Sequence, residues 1–233
     1  MNYSILKDEK ALRDFIAWLP DLEPNETFFV ALFARKKYAP ESGLKSDKAQ
    51  LKAFTSNKEY LFDKIRQLEC PVGSYTSRGT AVPEEALALY INPNPRNLEK
   101  AAKNLIKVLV DCVTTPYQGY NPRALALTEI QQSKSRGVFF DFDIDMPKDY
   151  TGDRHDFIRE VRAFLDGKIN PSATNLLLTR GGVHLLVEVA KVEEPYKRGW
   201  HNALSTFPGV DVKGDNLIPV PGCLQGGHLP VFA

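Results

Sequence analysis

The first half of the chain alternates apolar and polar residues in a way that predicts an αβ lobe. Apolar residues at helical spacing after Glu9 stop at Pro20, and the unbroken apolar run 27–34 is typical of a buried strand. Asp47 is a suitable N-cap for a long helix that follows a loop. The predicted elements, in order, are helix 9–19, strand 27–34, helix 47–69, strand 86–91 and helix 97–113.

The second half predicts a different arrangement, introduced by a connecting helix over 123–133. The predicted elements there are strand 137–145, helix 154–166, strand 174–179, strand 183–189, helix 195–206 and strand 209–213, with 217–220 as a continuation or bulge. This βαββαβ order is that of ferredoxin-like and RNA-recognition units. We therefore predict an α/β (α+β) fold. An N-terminal αβ lobe, 1–122, packs on a C-terminal ferredoxin-like, RRM-like unit, 123–233, within one domain.

Three acids alternate with apolar residues on the strand that opens the second unit. Asp141, Asp143 and Asp145 point to one face, because successive side chains of a strand point to opposite faces. Phe142 and its apolar neighbours then point to the core. Carboxylates in a row repel one another, so this pattern predicts a positive partner over them, and a divalent cation is the simplest one.

The predicted topology brings other polar residues to the same acids. In a βαββαβ unit the first strand lies between the fourth and the third. His184 falls on the third strand and Asp211 on the fourth, so both should lie one strand away from the acid row. We expect these residues to share the face that the helices leave open.

Composition narrows the classes of protein to consider. A net charge of +1 gives no broad field for nucleic acid, so any such contact must come from local patches. Three scattered cysteines, Cys70, Cys112 and Cys223, argue against a disulfide framework and against zinc. The N-terminus is too polar for a signal peptide, and no apolar run is long enough to span a membrane. We expect a soluble cytoplasmic protein with no membrane partner.

Three segments in this order resemble the motifs of the archaeo-eukaryotic primase superfamily, the primase-polymerases. The first is three apolar residues followed by Asp141-Phe-Asp143, and the second is Thr179-Arg-Gly-Gly-Val-His184. The third is Asp211 after an apolar residue, and Ile218-Pro-Val-Pro-Gly222 after it is most similar to the plasmid, phage and CRISPR-associated members. The resemblance covers roughly 137–222.

Two features of the motifs differ from the family pattern or leave alternatives open. The second motif usually has serine near the histidine, where this chain has Thr179 and Arg180. The first motif can also be read one pair later, with Asp143 and Asp145 as the metal pair. We prefer Asp141 and Asp143, because three apolar residues precede Asp141.

The resemblance implies a DNA primase-polymerase: template-directed nucleotidyl transfer from (d)NTPs with two Mg²⁺ or Mn²⁺ ions. Asp141, Asp143 and Asp211 would hold the ions, with Asp145 as the alternative ligand. His184 would contact the incoming triphosphate. Its other implied partners are a single-stranded DNA template, a primer and a helicase or accessory domain in the same or another chain. The implied nucleotide contacts beside His184 are Thr179, Arg180, Gly181, Gly182 and Lys213.

Other polar residues are weaker candidates for nucleic-acid contacts. Arg35, Lys36 and Lys37 end the first buried strand, and Asn94 and Arg96 lie in a Pro-bounded turn. Lys100, Lys103 and Lys107 are most simply a solvated helix face. Tyr117 and Tyr120 could stack on bases, although packing is the simpler interpretation.

Three other functions compete with the primase-polymerase. A catalytically idle nucleotide- or nucleic-acid-binding relative should have lost some of the acids, and this chain keeps them. A rolling-circle endonuclease needs a His-x-His pair, which the four histidines do not form. An RNA-recognition module would carry aromatic residues where this chain has aspartates. Because the chain ends directly after a predicted strand, we also expect it to be part of a longer protein.

Overall fold

Two antiparallel sheets organise the chain in a computed structural model, which describes residues 1–114 and 121–233. The helices of these ranges are α1 Glu9–Trp18, α2 Lys58–Arg66, α3 Leu98–Thr114, α4 Pro122–Gln132, α5 Arg154–Leu165 and α6 Trp200–Leu204. The strands are β1 Glu26–Ala34, β2 Ala49–Ser56, β3 Thr76–Ser77, β4 Thr80–Ala81, β5 Leu87–Ile91, β6 Arg96–Asn97, β7 Phe139–Asp145, β8 Thr174–Leu178, β9 Gly182–Glu188, β10 Val210–Gly214, β11 Ile218–Pro219 and β12 Val231–Phe232. The mixed α/β class predicted from the sequence is confirmed.

The first sheet has the strand order β11-β5-β1-β2, and β6 also pairs with β1. Every residue of β1 is buried, because both faces of this central strand are covered. Phe28 and its neighbours on one face join the main core, which also receives α1 and α2. Phe29 and Phe33 on the other face pack with Leu127 and Ile130 of α4. Helix α4, which we assigned to the second lobe, thus covers a face of the first sheet.

The long helix predicted over 47–69 is wrong in its first half. Residues 49–56 form β2, which pairs antiparallel with β1, and only 58–66 are helical. The side chain of Asn57 accepts a hydrogen bond from Tyr60 N at 3.1 Å and so starts α2. Leu51 and Phe54 fit a helical spacing with the apolar residues of α2, but here they pack against the core from a strand. The backbone groups of β1 on this side obtain their partners from β2.

The second sheet has the strand order β10-β7-β9-β8-β12. The first strand of the predicted unit, β7, therefore lies between the fourth and the third, as expected. Phe142 and Ile144 of β7 pack with Val161 of α5 and Trp200 of α6 in a second core. Helix α6 is shorter than predicted, 200–204 instead of 195–206. It begins just after Gly199, and glycine disfavours helix interiors.

Two expectations about the second sheet are wrong. Residues 218–219 do not continue β10; they pair with β5 and so join the first sheet. The face predicted to be open is largely covered, since Phe139, Leu177 and Leu186 on that face belong to the core of the first lobe. The two lobes therefore share a core, and the face with the acids is accessible only at one end of their contact. Among the described residues, no helix has the length and apolar character needed to cross a membrane.

Candidate active site

The three acids of β7 face the first lobe with very different exposure. Asp141 is 2% exposed, the side chain of Asp143 is 29% exposed, and Asp145 at the end of the strand is solvent-exposed. The alternation that turns Phe142 into the second core turns these three to the opposite face. The row therefore runs from the buried contact between the lobes out to their accessible edge.

His184 and Asp211 lie directly beside the acid row. In the antiparallel register Asp143 is opposite His184 of β9 on one side and opposite Asp211 of β10 on the other. His184 Nδ1 lies 2.9 Å from Asp141 Oδ1, and its Nε2 lies 3.7 Å from Asp143 Oδ1. The convergence that the sequence predicted for these residues is confirmed as a placement on three adjacent strands.

The charges of this cluster shift the pKa of both His184 and Asp143. Burial alone would lower the pKa of His184, but Asp141 and then Asp143 outweigh it and raise that pKa above its usual value. Burial raises the pKa of Asp143; the histidine opposes this change, while Asp141 and Asp145 add to it. The carboxylates of the acid row thus repel one another and attract a proton to His184.

A cavity of about 290 Å³ lies between the two lobes at the exposed end of the acid row. Its first-lobe wall contains three cations and two tyrosines, and its second-lobe wall contains acids, the histidine and a further lysine. Its lining residues are Arg35, Lys37, Tyr38, Lys48, Tyr90, Asp143, Asp145, Thr179, Gly181, His184, Lys213, Asn216, Leu217 and Gln225. A larger cavity at the far end of α5 contains none of the predicted site residues.

Of the cations that line this cavity, Arg35 pairs with Asp47, whereas Lys37 and Lys48 form no ion pair with a described carboxylate. Burial, and then the charge of Arg35, lowers the pKa of Lys48. Arg35 donates from Nη1 to Tyr90 Oη at 3.0 Å, while its buried Nε has no hydrogen-bond partner among the described residues. Lys213 forms an ion pair with Asp211, and this hydrogen bond raises the pKa of the lysine. Positive charge on one wall and carboxylates on the other suit a ligand that carries both anionic groups and a metal cation.

The turn between β8 and β9 contains the residues of the second predicted motif. Thr179 is buried, and its hydroxyl donates to Gly182 O at 3.1 Å, which closes the turn. Arg180 stacks its guanidinium on the ring of Tyr38, 4.6 Å from the centroid, and donates to Gly226 O. Gly181 lines the cavity. Of these residues, Thr179 and Gly181 line the cavity and Arg180 lies against its first-lobe wall.

Gly182 has a structural requirement of its own. It lies opposite Asp145 in the pairing of β7 with β9, and a Cβ there would overlap Ile144 O and crowd Met146 N. Both obstacles are backbone atoms, so a side chain cannot be accommodated by a rotamer change. The close approach that Gly182 permits is that of β7 rather than of a phosphate.

We expect Gly182→Ala to lower the free energy of unfolding by about 1–3 kcal/mol, because it forces two paired strands apart. Urea denaturation of the variant and the wild type measures this change. Gly181→Ala is the matched control, since the nearest atom to its Cβ would be Asp145 Oδ1 at 3.7 Å, an ordinary contact. Equal stability of the Gly182→Ala protein and the wild type would contradict this account of β9.

The candidate nucleic-acid contacts of the first lobe fall into two groups. Arg35 and Lys37 line the cavity, whereas Lys36 is solvent-exposed. Arg96 does not fit the expected surface role: it is 1% exposed, and its guanidinium binds Asp215 and the carbonyl oxygens of Asn94 and Gln131.

Asn94 is equally buried and takes part in packing the lobes together. Its side chain donates to Phe139 O at 2.9 Å and accepts from Phe139 N at 2.8 Å. The turn predicted to touch nucleic acid is therefore structural. On α3, Lys103 pairs with Glu99 at the surface, consistent with a solvated helix face. Tyr117 and Tyr120 lie outside the described residues.

Sequence reasoning missed six residues of the cavity. Tyr38, Lys48 and Tyr90 line it from the first lobe, and Asn216, Leu217 and Gln225 line it from the segment after β10. Tyr38 directly follows Arg35-Lys-Lys, the run of candidate nucleic-acid contacts, and this position was the one feature of the sequence that could have indicated a place in the site. Lys48 could not be recognised as a site residue, because the sequence predicts it within the helix 47–69.

The donor chemistry of the acid row fits a hard divalent cation, which prefers carboxylate oxygens. Among residues 1–114 and 121–233, however, no group of three or more His, Cys, Asp or Glu side chains is already arranged to hold a metal. Asp141 is engaged by His184 and Asp211 by Lys213. To bind a metal, the two carboxylates would have to give up these partners. His184 and Lys213 would then be available to bind an anionic ligand.

Comparison of this chain with protein-family models, with curated proteins and with solved structures found no match.

Proposed function

We propose that this protein is a DNA primase-polymerase, which transfers nucleotides from (d)NTPs in a template-directed reaction that uses Mg²⁺ or Mn²⁺. The observation that carries the proposal is the cavity between the lobes, where Asp143, Asp145 and His184 face Arg35 and Lys48. A metal-bound triphosphate has the matching distribution of charge: cations near the acids and phosphate oxygens near the basic side chains.

Asp143 is the central metal ligand in this proposal. It belongs to both possible metal pairs, Asp141 with Asp143 and Asp143 with Asp145, and it lies opposite Asp211 in the sheet. When bound, two divalent cations would supply the charge that lowers the pKa of the attacking 3′-hydroxyl and stabilises the pyrophosphate that leaves. The carboxylates of β7 and β10 would fix the position of that charge on a rigid sheet.

His184 and the basic side chains would hold the triphosphate. Asp141 fixes the His184 ring through Nδ1, which leaves Nε2 on the side of Asp143 and the cavity. Asp141 and Asp143 raise the pKa of His184, which favours the protonated form that can donate from both nitrogens. Lys213 would turn from Asp211 to a phosphate oxygen as the carboxylate takes up the metal, and Arg35 would offer its unpartnered Nε.

The template and the primer would approach from the accessible edge of the lobe contact. Lys37 is exposed at the rim of the cavity and would contact their phosphates. A single-stranded DNA template, a primer and a helicase or accessory domain are therefore the partners we propose. The modest net charge of +1 predicts weak binding to DNA in the absence of such a partner.

A nucleotide-incorporation assay tests the proposal. The protein is incubated with a single-stranded template, with and without a primer, labelled dNTPs or NTPs, and Mg²⁺ or Mn²⁺. We expect metal-dependent extension of the primer, and products formed without a primer would add priming to the activity. No product under any of these conditions, from a folded protein that still binds nucleotide, would overturn the proposal.

A catalytically idle nucleotide-binding module is the second candidate, and one observation favours it. Two of the carboxylates already have partners within the protein: Asp141 contacts the His184 ring, and Asp211 forms an ion pair with Lys213. Such a module would bind a triphosphate on the basic wall without metal-dependent transfer. Incorporation of labelled nucleotide separates the two functions, because only the primase-polymerase forms a product.

A further inference from the structure

The segment after β10 passes from the second sheet to the first and back again. It pairs with β5 as β11, turns at Gly222–His228, and then pairs with β8 as β12. Gln225 lies in this turn, 4% exposed, and lines the cavity between the lobes. A buried amide at this place has to find partners, since an unpaired one is costly.

Gln225 finds one partner in each lobe. Its Oε1 accepts a hydrogen bond from the backbone N of Arg180 at 2.9 Å, in the turn between β8 and β9. Its Nε2 donates to the hydroxyl of Tyr38 at 3.2 Å, in the first lobe. One neutral side chain thus uses both its acceptor and its donor to join the two walls of the cavity.

The polar contacts continue from Tyr38 to the cations of the first lobe. The hydroxyls of Tyr38 and Tyr90 lie 3.4 Å apart, and Arg35 Nη1 donates to Tyr90 at 3.0 Å. Arg35 in turn pairs with Asp47 at 3.3 Å. A continuous chain of contacts therefore links the turn of the second motif to Arg35 on the opposite wall.

The backbone of the same turn packs closely against Tyr38. Gly226 has a positive φ of 59°, and a Cβ there would overlap the ring of Tyr38. The guanidinium of Arg180 lies against the same ring and donates to Gly226 O. The residue after Gln225 is therefore packed against Tyr38 and Arg180, the two residues that the Gln225 amide contacts.

From these contacts we infer that Gln225 is a positioning residue that sets the two walls of the nucleotide site at the correct separation. The inference rests on the proposed function, in which the anionic part of a nucleoside triphosphate contacts both walls. Gln225 itself does not touch the acids; it fixes Arg180 and Gly181 on one side and Tyr38, and through it Arg35, on the other. Small displacements of such groups weaken the hold on a ligand that must meet all of them at once.

Equilibrium binding of a fluorescent deoxynucleoside triphosphate in the presence of Mn²⁺ tests the inference without turnover. We expect Gln225→Leu to weaken this binding about tenfold or more, as expected when a hydrogen-bonded network at a site is broken. In incorporation assays the same variant should show a raised KM for nucleotide and a much smaller change in kcat.

Asn170→Leu is the matched control, because Asn170 is also a buried amide that bridges two segments. It donates to Lys191 O at 2.9 Å and accepts from Glu193 N at 3.0 Å, among residues that do not line the cavity. We expect it to cost stability without changing nucleotide affinity. Equal losses of nucleotide affinity in the Asn170→Leu and Gln225→Leu proteins would show that the loss in Gln225→Leu comes from general destabilisation. That result would overturn the inference.

A second pair of variants covers the case in which Gln225→Leu does not fold. Gln225→Met keeps an unbranched side chain of similar length and removes both hydrogen bonds, and Tyr38→Phe removes the hydrogen bond to Tyr38 from the other side. Each should weaken nucleotide binding, and the double variant should be no weaker than the more affected single variant. Fully additive losses would show that the two residues act separately and would overturn the inference.

The inference and the proposed function can fail independently. Wild-type incorporation together with unchanged nucleotide affinity of Gln225→Leu overturns the inference and leaves the function. A second outcome is a wild-type protein that binds nucleotide but forms no product, together with a Gln225→Leu protein that binds nucleotide more weakly. This outcome supports the inference, as a statement about a nucleotide-binding site, and overturns the polymerase function.

Discussion

Asp143→Asn is expected to reduce nucleotide incorporation on the order of 10³-fold, the largest effect of any single substitution in the cavity. The substitution keeps the size of the side chain and removes its charge. Asp143 lies between His184 and Asp211 on the sheet and lines the cavity, so it serves as a ligand in either register of the acid row. The variant should fold, because the substitution removes one charge from a row of mutually repelling carboxylates.

Single-turnover incorporation with saturating nucleotide and Mn²⁺ measures this effect. Asp149→Asn is the matched control, since Asp149 is an exposed acid in the loop after β7. We expect the control to keep wild-type incorporation. An Asp143→Asn protein as active as the control would contradict the role given to the acid row.

The same assay decides which acid completes the metal pair with Asp143. If Asp141 is the partner, Asp141→Asn should lose activity as severely as Asp143→Asn, and Asp145→Asn should retain most of it. If Asp145 is the partner, Asp145→Asn should show the severe loss. Asp141→Asn would then act only through the orientation of His184, with a raised KM for nucleotide as its main effect.

Asp215→Ala is expected to lower the free energy of unfolding by about 3–5 kcal/mol, the largest loss of stability expected here. Asp215 follows β10 and binds the buried guanidinium of Arg96 through both oxygens, at 2.5 and 2.8 Å. Without it, a charge that is 1% exposed would lose its carboxylate partner. Asn94, which fixes the start of β7, also donates to Asp215 at 3.1 Å, so the damage should reach the contact between the lobes.

Urea denaturation monitored by tryptophan fluorescence measures this change. Glu188→Ala is a suitable control, because its ion pair with Lys191 is partly exposed and should contribute much less. Removing both charges in an Arg96→Met/Asp215→Leu protein should cost less than Asp215→Ala alone, since no buried charge is then left unpaired. A small change in Asp215→Ala would contradict the structural role of this pair.

The acid row could be predicted from the sequence because its pattern is local and strict. Alternation in Phe140–Asp145 fixes which side chains face the core, and the βαββαβ order fixes which strands lie beside them. The placement of His184 and Asp211 on the two strands beside the acids follows from those two features, whereas their register against Asp143 was not predicted. A strand with apolar residues on one face and acids on the other has few other ways to pack.

The first-lobe wall of the cavity could not be predicted in the same way. Lys48 precedes β2, whose Leu51 and Phe54 have a spacing that also fits the following helix, so the strand was missed. β2 is specified by the need of β1 for an edge partner, a long-range requirement that local spacing does not contain.

The position of Gln225 in the cavity could not be predicted either, for a related reason. The sequence predicts 217–220, which precede Gln225, as a continuation or bulge of the strand before them, but 218–219 pair with β5 before the chain turns back. This crossing depends on how the two sheets are placed against each other. The local sequence pattern of 217–228 contains no information about that placement. Arg96 was misjudged because a charged residue in a Pro-bounded turn is usually exposed, whereas here Asp215 makes its burial possible.

The most direct test of the central claim is incorporation on primed homopolymer templates with one labelled nucleotide at a time. The account predicts that the wild-type protein, with Mn²⁺, adds only the nucleotide complementary to each template and that Asp143→Asn adds it on the order of 10³-fold more slowly. Wild-type protein that binds a triphosphate in the cavity but adds no nucleotide to any template, or that adds all four regardless of template, would contradict template-directed transfer.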